Sequence, residues 1–276
     1  MSGAARPLAA ALAGVALVAA LLRSGPPIVG GWIGGMPAAA GESLFTLAIF
    51  GPMVLLGLIG RRLTMSGRLL AGDRPGVAAW RGAVLGSGGL LLAVGYTWVA
   101  GVLTPGAGGA AGPVLLLGLL TVAVQVAGEE VLFRGWLQPS IAPILGTPAA
   151  IGLVAIVFAG LHVAGGVTGP LPLGNLCLGG VLFGLLAARD GGIAGAFAAH
   201  LCWNAGEQLI LGLDPNPGTG AFGSLFDLDL IGAARWGGSD EGLNASVAMT
   251  IALAALVVPI VIRARSGPHH REPLRA

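Results

Sequence analysis

"PVLLLGLLTVAVQVAGEEVLFRGWLQP", residues 113–139, decides the fold. It begins as an unbroken apolar run, takes in Glu129, Glu130 and Arg134, and passes into "SIAPIL" at 140–145 with no loop between. A membrane-crossing helix needs about 20 mostly apolar residues, and this stretch is long enough to hold its charges inside such a helix. A charge at mid-bilayer costs about 2.5–3.5 kcal/mol on insertion scales, so ionisable groups kept there usually serve a function. The plainer alternative is a helix ending at the cytoplasm with all three groups wetted. The apolar continuation after Arg134 counts against it.

The composition agrees with a membrane setting. The chain has 276 residues, 55% of them hydrophobic and 9% charged, and its mean hydropathy is +0.88. Soluble domains carry roughly 25% charged residues, so a water-soluble globule is excluded. The expected fold is all-α, a polytopic transmembrane bundle of about eight helices near 7–22, 43–60, 82–103, 113–138, 149–168, 173–188, 192–212 and 244–262. A single membrane domain over 1–276 divides into a three-helix accessory part (1–112), a core (113–212), and an outer loop, last helix and basic tail (213–276). The first segment reads as a retained helix, because "LLRSGPP" lacks a small-x-small cleavage site after its apolar core.

All 14 basic residues are arginine. With eight crossings and both termini in the cytoplasm, twelve arginines, Arg134 among them, fall on the cytoplasmic side, and only Arg23 and Arg235 fall outside. That is the positive-inside pattern of an integral cell-membrane protein. Cys177 and Cys202 lie in apolar stretches and read as buried free thiols.

Residues four apart share a helix face, so Glu130 can pair with Arg134 while Glu129 points about 100° away with no cation in its own helix. An unpaired, desolvated carboxylate suits a general base. His162, in "VFAGLHVAGG", lies one turn beyond Phe158, which could wall a site. A lone histidine on an apolar face is otherwise a packing residue. His200 and Asn204, in "FAAHLCWNAG", also share a face and can both donate to a developing oxyanion. Alone they read as a helix-packing polar pair. Together, a carboxylate, two imidazoles, an amide and water suffice for peptide-bond hydrolysis. Glu207 reads equally as a further cavity charge or as a group near the outer water and is left out of the site, and Asn175 and Gln125 read as hydrogen bonders between helices.

At these positions the sequence resembles the CPBP family of intramembrane proteases, named for CAAX proteases and bacteriocin-processing enzymes. The family motifs EExxxR, FxxxH and HxxxN read here as "EEVLFR" 129–134, "FAGLH" 158–162 and "HLCWN" 200–204, in order, across roughly residues 113–210. The resemblance implies catalytic roles for Glu129, His162, His200 and Asn204, and a supporting pair in Glu130 and Arg134. It implies a bilayer and a membrane-associated peptide or protein as partners, and no nucleic acid. Prenylated CAAX substrates are one branch of the family. The favoured mechanism uses no metal. Should a divalent ion such as zinc take part, Glu129, His162 and His200 are its ligands. HExxH, GxSxG and GxGD are absent, which sets aside the familiar zinc, serine and aspartyl intramembrane arrangements. A non-catalytic immunity or scaffold protein and a proton-coupled transporter are the alternatives.

Two geometric expectations follow. If the fourth helix runs to Pro139 and the fifth starts near Ala149, Glu129 and His162 lie about 13 and 20 Å from the turn between them, and a tilt or a later start must close the difference. The cavity is expected to admit water from the cytoplasm.

Overall fold

The computed structural model describes residues 5–64, 70–106, 112–215 and 220–266. Helices α1 (Ala5–Ile33), α2 (Ala38–Thr64) and α3 (Pro75–Val99) come first. The central rod is composite: α4 (Val114–Glu130) continues through a π-helical stretch, Val131–Leu137, into α5 (Gln138–Leu145). Then follow α6 (Thr147–Ala164), α7 (Pro170–Asp190), α8 (Ala194–Ala205) with a π-helical extension Gly206–Leu211, and α9 (Val247–Ser266).

Seven of these rods are long and apolar enough to cross a membrane, including the composite one at Val114–Leu145. The one remaining expected span, 192–212, is present as α8 and its π-helical extension. Large apolar side chains face outward from most rods, among them Leu12, Leu55, Trp80, Leu91, Trp98, Leu116, Ile156 and Val258. Contiguous apolar surface on this scale is stable only against lipid. The chain is a multi-pass membrane protein.

Successive rods alternate in direction, which sorts the connections onto two ends. One end collects the turns after α2, α5 and α7. The other collects those after α1, α3, α6 and α8. At the second end lies a small sheet not foreseen from the sequence: β1 (Leu103–Pro105) runs antiparallel to β3 (Leu228–Leu230), which pairs in parallel with β2 (Leu213–Asp214).

Two close approaches set the position of the core. Gly82 and Gly86 of α3 lie directly on the carbonyls of Gly195 and Ala199 of α8, where a Cβ on either glycine would collide with backbone. Hydrogen in place of a side chain lets these two helices meet backbone to backbone. On the other side, the buried indole of Trp136 is clamped between Gly14 of α1 and Gly60 of α2 and donates Nε1–H to Thr64 Oγ1 at 3.1 Å. The first three helices thus pack directly on the rods carrying the motifs. Asn175 ties α7 to the start of α9, its Nδ2 donating to the carbonyls of Asn244 (2.9 Å) and Ser246 (3.0 Å) and its Oδ1 accepting from Thr250 (2.6 Å).

Candidate functional site

The composite rod brings the motifs to one depth. Glu129 precedes the turn at Gly146 by 17 positions and His162 follows it by 16, about 25 Å each at helical rise. Neither a tilt nor a later start for α6 is needed, because the rod runs past Pro139 to Leu145 and α6 begins at Thr147 rather than Ala149. Pro139 does not end the rod: the carbonyl four residues before it, that of Gly135, which a proline cannot serve, accepts instead from Arg61 Nη1 at 2.8 Å. The π-helical stretch follows directly on Glu130, and all seven of its residues are buried. Such stretches re-aim side chains and recur at functional sites.

Glu130 is wholly enclosed and accepts from Arg134 Nη1 at 3.0 Å. Arg134 Nη2 donates to the carbonyl of Gly180 at 3.1 Å. Its guanidinium carbon sits 4.8, 5.4 and 5.7 Å from the ring centres of Phe158, Phe183 and Phe133. A buried cation is tolerable when it is paired, hydrogen-bonded and faced by aromatic rings. Counting Arg134 with the arginines of a membrane face is therefore corrected: 3% exposed, it belongs to the interior.

The same Glu130 oxygen meets His200 Nδ1 at 2.9 Å. The carboxylate, already paired with Arg134, is the acceptor, so Nδ1 carries hydrogen. His200 Nε2 then faces Glu129 Oε2 at 3.7 Å, and the ring lies flat on Phe183, with centroids 4.4 Å apart. His162 Nδ1 lies 2.8 Å from the carbonyl oxygen of Phe158. A carbonyl only accepts, so Nδ1 donates there and Nε2 is left as an acceptor. The His162 ring also rests against Phe158, with centroids 4.6 Å apart.

Glu129, His162, His200 and Asn204 line one cavity of about 260 Å³, together with Gln125, Phe158, Phe183, Trp203 and Glu207. The cavity extends to Val167, Glu241 and Asn244 in the connections, and to Pro172 in the first turn of α7, at the end where α6 and α8 finish. The expectation of water entry from the arginine-rich end is thereby corrected. Arg134 is packed between the Glu130 carboxylate and three phenyl rings on that side, and a separate space of about 180 Å³, lined by Arg61, Arg134 and Gln138, lies there.

Two contributors escaped the sequence reading. Gly180 supplies only a carbonyl and Phe183 only a ring face, and neither carries a local signal. Glu207, weighed from the sequence and left out of the site, lines the cavity one turn beyond Asn204. As for a metal, among the described residues the one group of three ligating side chains within 4.8 Å of one another is Asp214, Asp227 and Asp229. Glu129, His162 and His200 do not form such a group, and His200 Nδ1 is already engaged by Glu130.

Eight apolar rods around an enclosed carboxylate–imidazole–amide centre define a polytopic membrane protein with a polar reaction-sized chamber. Residues 111–206 match the family model of the type II CAAX prenyl endopeptidases, Rce1-like. That segment, which holds all three motifs, is similar to this Rce1-like protease family, as the motif resemblance implied. No curated protein and no solved structure matches the chain.

Proposed function

We propose that the chain is an intramembrane endopeptidase that hydrolyses a peptide bond in a membrane-associated substrate with water activated by Glu129. The observation that carries this is the shared cavity: Glu129, His162, His200 and Asn204, from three separate helical rods, face one space. A water held between the Glu129 carboxylate and His162 Nε2 gives its proton to Glu129 as its oxygen adds to the substrate carbonyl carbon. The oxyanion receives hydrogen bonds from the Asn204 amide and from the His200 ring, which Glu130 holds at Nδ1. Glu129 returns the proton to the nitrogen as the C–N bond breaks. Glu130 and Arg134 position His200 and do not touch substrate.

A fluorogenic membrane-anchored peptide set, offered to the purified protein in proteoliposomes, tests the proposal. Wild type releases fluorescence and Glu129→Ala does not. Equal turnover by the two ends the proposal.

A further inference from the structure

Glu207 is a buried acid that the hydrolytic scheme does not use. It is 4% exposed and lines the same cavity. The Trp203 side chain gives its carboxyl one hydrogen bond, and its Oε1 has no partner among the described residues. A buried acceptor left unsatisfied is costly unless something arrives to satisfy it. The surroundings say what kind of group that is. Glu129, Glu207 and Glu241 bring three carboxyl groups to the lining, no arginine among the described residues lines it, and the chain has no lysine. Glu241 stands where the cavity meets the connections, accepting the N–H of Thr168 at 3.2 Å. Gln125, Asn204, Gln208 and Asn244 add neutral side-chain amides, which can accept as well as donate. Beyond the groups used in hydrolysis, such a lining is acidic and offers no arginine or lysine to a substrate's terminal carboxylate.

We infer that Glu207 and Glu241 form a subsite for a cationic side chain of the substrate, an arginine or lysine close to the cleaved bond. The inference rests on the protease reading and adds the substrate class. Glu207 lies three residues beyond Asn204 in the chain, about 4 Å further toward the open end at helical rise. One extended substrate residue spans about 3.3 Å. The cation is therefore within about two or three residues of the carbonyl held by Asn204.

The test uses palmitoylated dodecapeptides, each carrying arginine at one position, paired with twins in which that arginine is citrulline. Citrulline keeps the shape and removes the charge. Cleavage by wild type is followed by mass spectrometry in proteoliposomes, and binding by fluorescence with the Glu129→Gln protein. The expected result is a preference for arginine over citrulline of about 10- to 100-fold, the range for a hydrogen bond to a charged group, confined to positions near the cut and appearing in KM rather than kcat. Glu207→Gln brings the ratio close to one, and Glu207→Asp retains part of it. Equal cleavage of both twins by wild type overturns the subsite and leaves the protease intact. Absence of all cleavage overturns the protease, and the binding arm still decides the subsite: equal affinity for the twins, or no binding of either, refutes it. The wild-type comparison needs no substitution, so it decides the subsite even where a variant fails to fold.

Discussion

Removing the Arg134 guanidinium should destabilise the whole bundle by stranding a buried charge. In Arg134→Met the Glu130 carboxylate, wholly enclosed, keeps His200 as its remaining hydrogen-bond partner, and the Gly180 carbonyl loses its donor. Breaking a buried ion pair from one side costs about 3–5 kcal/mol, because the stranded charge stays desolvated. The three ring contacts add about 0.5–2 kcal/mol. For a chain of this size, each kcal/mol moves Tm by about 2–4 °C, so the melt should fall by about 10 °C or more. Neutralising both partners, in Arg134→Met with Glu130→Leu, removes the stranded charge and should recover most of that loss. Activity should not return with it, since His200 Nδ1 then has no acceptor to hold its tautomer. The assay pairs a thermal melt in detergent with turnover of a membrane-anchored peptide. A single variant melting within about 2 °C of wild type, or a double variant no more stable than the single, refutes the reasoning. So does a double variant with full turnover.

Three further outcomes are expected. Gly86→Ala pushes a methyl group into the Ala199 carbonyl, one residue before His200. Overpacking of this kind costs about 1–3 kcal/mol, and a 1 Å displacement of a reacting group costs on the order of 100-fold in rate. Wild-type turnover and melt in this variant would show that the α3–α8 contact does not position the histidine. Asn204→Ala should lower kcat by about 10²–10³, the loss for one oxyanion donor, with an unchanged melt, and a drop confined to KM would move Asn204 to ground-state binding. Dialysis against EDTA and 1,10-phenanthroline should leave turnover intact, and a loss that zinc restores would establish a metal mechanism instead.

Some of this site was readable before any tertiary structure. Glu130 and Arg134 pair at i,i+4 as the spacing required, and Phe158 lies beside His162. Asn175 bonds between helices, as its setting suggested. These are relations within a few residues, or choices a polar group buried among helices has little freedom to avoid. Reading Arg134 as a cytoplasmic arginine failed for the opposite reason. Its environment is made by Phe183 and Gly180, which arrive from α7 more than forty positions later. The depth of Glu129 was underestimated because nothing local announces that its rod will continue through a π-helical stretch and two prolines.

What the chain settles by itself is its solvent and its inventory. The apolar spans reflect the lack of water for backbone groups in lipid, a constraint every segment must meet alone, and the ionisable groups retained inside them are visible one by one. Packing decides which of those groups meet. His200 finds Glu130 across seventy residues, Glu207 joins the chamber, and the chamber leads toward the end that the arginines avoid. Contacts of that span depend on glycines that let α3 and α8 touch and on a rod whose length sets two motifs level, and such distances exist only once the helices have packed.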